Sequence, residues 1–336
     1  MNILYQCNDK YAPYCGTSIT SLFENNKDVD NICVYILNDS ISDINRNKFD
    51  ILSKQYNRKI VLLDTTVIVS KMEELGIPKY RGSYTTNMKM FVSYVLPDDV
   101  DRLLYIDSDT IVLGDLSELF SCDMQEYPIA MALDFIVRNH KKTIGLSNNS
   151  YYYNAGVILF NCTNCKKIDF TGRIVNYINN NNPNFSLPDQ DLLNIIFCDN
   201  IMQLDPKYNF QPVHILFNDR SYYKCFKNNG YYPQSKINKD KNDIRIAHFL
   251  RFLGEFPWDK NNSHPYNDLF DKYLKVSPWK NYEKAEKKLS VLFKIEKILY
   301  KILPNDIFIY IYRLSHEIFM KQSDKKSKKN KSNRLM

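Results

Sequence analysis

The chain contains no uncharged apolar run approaching the roughly 18 to 20 residues that a bilayer-crossing helix needs; its most hydrophobic stretch, Ile307 to Tyr312, is far too short. A membrane-spanning protein is therefore not expected. No basic region precedes the first apolar residues, and the stretch that begins at Ile3 is broken at Gln6, so no secretory signal is predicted. The 8 cysteines lack the density and spacing of a disulfide scaffold, and reduced thiols in a cytosol are the expectation. On that reading the Asn-X-Ser/Thr matches at Asn148 and Asn161 carry no glycan. Cys162-Thr-Asn-Cys165 has no second pair, so it does not predict zinc. No repeat of solenoid period is present. The formal charge of +7 suggests nucleic acid only until it is located. Lys321, Lys325, Lys326, Lys328, Lys329, Lys331 and Arg334 against Asp324 place about +6 after residue 320, which leaves a nearly neutral body and argues against a nucleic-acid partner. Residues 321–336 read as a basic disordered tail.

What the sequence does hold is an ordinary globular balance, 44% hydrophobic and 25% charged, at a length of 336 residues that suits one large α/β domain with an appendage. Apolar β-prone runs at Ile3–Tyr5, Ile32–Leu37 and Ile60–Leu63 alternate with helical patterns at Gly16–Asn25 and Ser42–Gln55. This is a βαβαβ start with a parallel sheet. Polar residues close each strand, and in such sheets ligands collect outside the carboxyl ends. A helix is predicted from Thr86 to Leu96, stopped by Pro97. Strands follow at Arg102–Asp107, Ile129–Leu133, Gly156–Phe160 and Ile244–Phe249. Lys227–Lys241 is rich in loop signals. From about Tyr282 the pattern becomes a lysine-edged amphipathic helix with Leu292, Ile295, Leu299 and Ile302 at helical spacing, then an apolar aromatic segment from Ile307 to Met320.

The sharpest chemical signal is Asp107-Ser108-Asp109 at the end of the apolar strand Leu103-Leu-Tyr-Ile106. Two carboxylates presented there suit Mg²⁺ or Mn²⁺ and, through it, a diphosphate. Asp107-Ser-Asp-Thr110 is also how some phosphatases present an aspartyl nucleophile, but that class carries it on the first strand, whereas a whole βαβαβ unit lies upstream here.

The chain resembles the retaining glycosyltransferases of family 8 over roughly residues 1 to 275. The resemblance rests on motifs in series: Thr85-Thr-Asn-Met-Lys89 with Leu96-Pro97, Tyr105-Ile-Asp107-Ser-Asp109, Leu133-Asp134, Tyr153-Asn-Ala-Gly-Val157, Pro188-Asp-Gln-Asp-Leu-Leu-Asn194, Tyr208-Asn-Phe210, His248-Phe249 and Pro257-Trp258. It implies a GT-A fold, a Rossmann-like nucleotide-sugar-binding α/β domain with a mostly parallel sheet. Here that domain would span 1–275, with a helical appendage at 276–320 before the tail. It further implies a UDP-sugar donor, UDP-glucose or UDP-galactose, and Mn²⁺ or Mg²⁺ held by Asp107, Asp109 and His248. The uridine pocket would involve Cys7, Asn8 and Tyr11, whose ring can stack on a base; Asn8 can alternatively cap the first helix. Lys89 stands near the donor, and Ser108 belongs with the donor-binding residues. The sugar would be held by Asp134, Asn154, Ala155, Asp189 and Gln190. Gln190 is nearest the nucleophile position, and an amide is a poor nucleophile, which favours front-face displacement with retention.

One departure stands out. Where relatives carry Lys-Pro-Trp, this chain has Phe256-Pro257-Trp258, so Arg251 or Lys260 is expected to face the diphosphate, or turnover is weak. Tyr151-Tyr-Tyr153 and Tyr222-Tyr223 could be sugar platforms or packing. The appendage and basic tail read as a peripheral contact with an anionic leaflet, on the inner face of the cytoplasmic membrane. The expected function is hexosyl transfer to a glycan or lipid-linked glycan acceptor in surface polysaccharide or lipopolysaccharide assembly. The alternative is a catalytically weak relative that binds nucleotide sugar or a partner.

Overall fold

The computed structural model describes residues 1–77, 79–80, 82–135, 138–147, 149–216 and 231–332, with 138–139 and 327–332 described by backbone alone. Asn148, Tyr222-Tyr223, Arg334 and the first part of Lys227–Lys241 lie outside the described residues. The alternating pattern of the first hundred residues folds into β1 (Asn2–Asn8), α1 (Ala12–Glu24), β2 (Cys33–Asp39), α2 (Asp43–Tyr56), β3 (Lys59–Asp64) and α3 (Thr66–Glu74). Strands buried on both faces read as continuous apolar runs, and Ile3, Leu4, Val34 and Ile36 are fully buried. Ser42 caps α2 by accepting from the Asn45 amide at 3.4 Å, and Asn57 ends it in the left-handed region at φ 50°.

Next come α4 (Thr85–Met88), a 3₁₀ turn over Lys89–Tyr94, β4 (Arg102–Ile106), β5 (Thr110–Val112), α5 (Ser117–Ser121), β6 (Ile129–Leu133), α6 (Arg138–Thr143) and β7 (Tyr153–Asn161). After them lie α7 (Cys162–Lys167), α8 (Phe170–Asn181), α9 (Pro188–Ile196), β8 (Ile201–Leu204), α10 (Pro212–Leu216), α11 (Gln234–Asp240), β9 (Ile246–His248), α12 (Asn267–Leu274), α13 (Val291–Ile302) and α14 (Asn305–Ser332). The single helix expected from Thr86 to Leu96 is instead α4 followed by the tighter 3₁₀ turn. The change of winding falls at Lys89, whose buried ion pairs outweigh local helix propensity.

The central sheet has the order β3-β2-β1-β4-β7-β6-β8. β3, β2, β1 and β4 are mutually parallel, β7 runs against both β4 and β6, and β8 is parallel to β6. The sheet is thus mostly parallel, as expected. Its one reversed strand has a consequence for the site: the start of β7 lies beside the carboxyl end of β4. A separate two-stranded sheet pairs β5 with β9 and sets Thr110 opposite His248.

The core extends past the boundary expected at residue 275, because Trp279 seats on α1 at Gly16. A Cβ there would stand 2.0 Å from the indole ring, so glycine is required for the approach. The appendage is helical and lies on the body. Phe308 and Ile309 join Val213, Leu216, Phe252 and Leu253 in a second apolar cluster. Residues 321–332, expected to be disordered, continue α14, and Asp324 within them is buried.

Candidate active site

The carboxyl end of β4 delivers Asp107, and a tight turn delivers Asp109. The turn is fixed from three sides: the Asp107 amide donates to Gly156 O at 2.7 Å, Ser108 Oγ donates to Gln6 O at 2.8 Å, and Thr110 Oγ1 donates to Asp107 O at 2.9 Å. Ser108, expected among donor-binding residues, is buried and spends its hydroxyl on this anchoring. The β5–β9 pairing, with the Phe249 amide donating to Asp109 O at 2.7 Å, brings in His248. Asp107, Asp109 and His248 each offer a ligand atom within 4.8 Å of the others, and no other such cluster occurs among the described residues. Cys162 and Cys165 are free thiols outside it.

The imidazole is oriented for ligation. His248 Nδ1 lies 2.9 Å from Asn209 Oδ1, an acceptor only, so Nδ1 carries the proton and Nε2 faces Asp109 at 3.5 Å and Asp107 at 3.8 Å. Asn209 in turn donates to Asn154 Oδ1 at 2.8 Å, and Asn154 donates to Asp134 Oδ2 at 3.1 Å. Glycine at 156 is what admits the ring: a Cβ there would stand 2.2 Å from His248 Cε1. Asn154-Ala-Gly156 is therefore more than a turn into a strand.

Lys89 enters from the 3₁₀ turn and is buried, 2.6 Å from Asp189 and 3.6 Å from Asp107, donating to Ala155 O at 2.9 Å with the Tyr105 ring 4.3 Å away. Burial alone would lower its pKa, but the two carboxylates carry it above the ordinary range. Burial raises Asp107, against the pull of Lys89. Burial would also raise Asp109, yet the charge and hydrogen bond of His248 bring it below the usual carboxylate value. The corner is a set of opposed charges in which Lys89 and His248 are buried and the two carboxylates are half-buried.

On the other side of β7, α9 packs its first turn against Tyr153–Ala155. Asn194 grips the strand twice, accepting from the Tyr153 amide at 2.7 Å and donating to its carbonyl at 2.8 Å. Gln190 accepts from the Ala155 amide at 3.0 Å and donates to Asp134 at 2.7 Å and to Tyr152 Oη at 3.2 Å, so its amide orientation is fixed. Asp134, Asn154, Ala155, Asp189, Gln190 and Lys89 thus stand together beside the Asp107–Asp109–His248 corner.

The remaining predicted residues sit at the end of β1 and near β9. Cys7 is buried, with its thiol pushed up by burial. Asn8 accepts from the Tyr11 amide at 3.1 Å, which is the capping role. Tyr11 meets Tyr14 and Trp258 edge-on, and Trp258 is stacked between Tyr14 at 4.0 Å and Phe256 at 4.7 Å. Arg251 lies 5.6 Å over the Phe256 ring, while Lys260 approaches Glu286 at 4.0 Å. Lys287 also lies over Phe256, at 4.9 Å, and pairs with Asp259 at 3.1 Å. Sequence reasoning missed the roles of Lys287 and Asn209, and it read Tyr152 as a sugar platform or packing where the structure has its hydroxyl between Gln190 and Asp191. Asn209 stood in a quoted motif, whereas Lys287 was one lysine among many.

An α/β sheet with acidic and imidazole groups gathered at the carboxyl edge of its strands places the cluster where such sheets bind their ligands. The family model described as glycosyl transferase family 8 matches residues 2–262, and the chain belongs to that family. It is 26% identical over 286 residues to general stress protein A of Bacillus subtilis, covering 83% of this chain and 94% of that protein. To the lipopolysaccharide glucosyltransferase WaaO of Escherichia coli it is 23% identical, covering 94% and 92%. Among solved structures, the galactosyltransferase LgtC, determined with donor and acceptor sugar analogs, superposes with a TM-score of 0.66 at 21% identity, covering 82% of this chain and 96% of that one. The fold is therefore the GT-A fold expected from the motifs.

Proposed function

We propose that this glycosyltransferase moves a hexose, glucose or galactose, from its UDP conjugate to a glycan or lipid-linked glycan acceptor with retention of anomeric configuration. The observation that carries the reading is the Asp107–Asp109–His248 corner standing directly beside the Asp134–Asn154–Gln190 network. Oxygen ligands with one imidazole fit Mn²⁺ or Mg²⁺, and Asp107, Asp109 and His248 Nε2 would hold the ion. Such an ion, when bound, neutralises charge on the departing diphosphate. Lys89 keeps Asp107 and Asp189 apart and correctly aimed. Asp134, Asn154 and Asp189 offer acceptors and donors for sugar hydroxyls, and the Ala155 backbone is pinned by Gln190. The Tyr11 face and the Cys7–Asn8 backbone would take the uracil. Because Gln190 is a fixed neutral amide, front-face attack by the acceptor hydroxyl is favoured over a covalent intermediate. Arg251 and Lys287, both over Phe256, and Lys260 are the candidates to act where relatives carry lysine.

With Mn²⁺ and a panel of UDP-sugars, the expected result is metal-dependent UDP release from one UDP-hexose, and acceptor product of unchanged anomeric configuration by NMR. Binding of UDP without release from any donor, acceptor present, would favour the alternative of a nucleotide-sugar-binding relative. Inverted product would remove retention.

The relatives named for lipopolysaccharide synthesis support a lipid-linked acceptor reached from a membrane surface, on its cytoplasmic face. No helix among the described residues is long and apolar enough to cross a membrane. The appendage nonetheless leaves Leu292, Ile295, Ile298, Ile302, Ile318 and Phe319 exposed, with Lys294, Lys301, Lys321, Lys325 and Lys326 exposed on the same two helices. Co-sedimentation with vesicles containing anionic lipid is expected at low salt, to weaken as salt rises, and to fail with neutral vesicles. Equal sedimentation with neutral and anionic vesicles would remove the electrostatic part of this reading.

A further inference from the structure

Behind the sugar-facing network lies a buried charge cluster that the mechanism above does not use. His140 on α6 is fully buried, with Nε2 2.7 Å from Asp191 Oδ1 on α9 and Nδ1 3.0 Å from Asp324 Oδ1 on α14. Asp191 also accepts from Tyr152 Oη at 2.6 Å, and Tyr152 Oη accepts from Gln190 Nε2 at 3.2 Å. Asp324 accepts from Ser186 Oγ at 2.5 Å. The chain Asp324–His140–Asp191–Tyr152–Gln190–Asp134 is continuous, and it joins the last helix, far along the sequence, to the Gln190–Asp134 pair of the candidate site.

We propose that His140 is a positioning residue for transfer, bridging Asp191 and Asp324 so that the Tyr152–Gln190 pair is held in register and the last helix becomes part of the active site. The inference rests on the function proposed above. Two points carry it. Carboxylates only accept hydrogen bonds, and a neutral imidazole has one N–H, so a ring with a carboxylate at each nitrogen is an imidazolium. A buried ion cluster is also a poor stability device, since apolar residues of similar volume often do as well or better, and in this protein we infer that its contribution lies in fixing geometry.

The groups facing the ring are Asp191 from α9, Tyr152 from the segment ahead of β7, and Asp324 and His316 from α14, with Asp134 acting on Tyr152 and His316. Burial would lower the His140 pKa, but Asp191 and Asp324 push it up to about 9. The imidazolium is therefore complete below the ordinary value of 6.5 and is lost as pH rises through about 9, with the orientation it enforces lost in the same window.

The test uses the full-length chain and UDP release from the hexose donor that turns over. Asp324→Asn keeps the shape and removes the charge. Its kcat is expected to fall about tenfold with the donor KM within about twofold, and the alkaline limb of the kcat profile to move down by about one pH unit or more. A lowered melting temperature with kcat and alkaline limb both unmoved would overturn the proposal. If Asp324→Asn does not fold, Ser186→Ala, which removes one hydrogen bond to Asp324 and leaves its carboxylate a stronger partner for the ring, is expected to move the limb the opposite way, up, by less; an unmoved limb overturns. If wild-type protein releases UDP from no donor, the function proposed above fails separately. The bridge is then read by NMR, with two ring N–H protons on His140 at pH 8 expected in wild type and their population clearly reduced in Asp324→Asn, and a neutral ring at pH 7 in wild type overturning it.

Discussion

Replacing Asp109 with asparagine is expected to lower metal-dependent UDP release by on the order of 10³-fold or more, with the fold intact. The fold should survive because the Asp109 backbone, not its side chain, is what joins the β5–β9 sheet: its carbonyl accepts from the Phe249 amide at 2.7 Å. The carboxylate is partly exposed to the cleft and faces His248 Nε2 at 3.5 Å, so it is free to take an ion without unpicking core contacts. An amide offers one neutral oxygen in place of a charged carboxylate, which weakens a hard cation's hold most of all. His248→Ala removes one ligand but leaves both acids, and a smaller loss is expected. Mn²⁺ titration by calorimetry beside UDP release checks both. Unchanged Mn²⁺ affinity with turnover within tenfold of wild type would place the ion elsewhere.

The parts of this site that sequence made legible are those that lie at strand ends. Asp107 and Asp109 close a continuous apolar run that points to them directly, whereas Asp134, just after β6, and Asn154, near the start of β7, entered through the motifs of the resemblance. β6 itself, Ile129–Leu133, agrees with the sequence reading residue for residue. What was not legible depends on chain reversal and on distant pairs. That β7 runs against β4, so that Gly156 meets both the Asp107 amide and the His248 ring, is invisible in either strand's composition. His140 gave no local signal, because its partners Asp191 and Asp324 are far from it in sequence. The same pairing explains the misreading of the tail: a lone acid among lysines reads as solvated charge, yet Asp324 finds an imidazolium and a hydroxyl in the body and carries the helix on to Ser332. The helix expected over Thr86–Leu96 was misread for a related reason, since local pattern does not record the tertiary ion pairs that Lys89 makes.

Those ion pairs set the other large expectation. Lys89→Met should destabilise the metal-free protein by about 3 kcal/mol, because it strips the counter-charge from buried Asp189 and from half-buried Asp107. Lys89 is 2% exposed, and Asp189 and Asp107 lie 2.6 and 3.6 Å from its ammonium. The Ala155 carbonyl loses its donor as well. The loss should shrink when Mn²⁺ is present, since an ion held by Asp107 and Asp109 supplies positive charge to one of the two stranded acids and binds only the folded state. Lys89→Arg is not expected to rescue, because a planar guanidinium must fit where a compact ammonium now sits 4.3 Å from the Tyr105 ring. The pH behaviour has a definite sign. Since the carboxylates hold the Lys89 pKa above its ordinary 10.5, its stabilising contribution is complete below that value and falls only as pH rises beyond it. The difference between wild type and Lys89→Met in urea unfolding should therefore not diminish as pH rises toward about 9, and should shrink on acidification as the stranded carboxylates, raised by burial, take up protons. A deficit equal with and without Mn²⁺ would mean that the ion and Lys89 do not share Asp107, and would separate the buried cation from the metal corner.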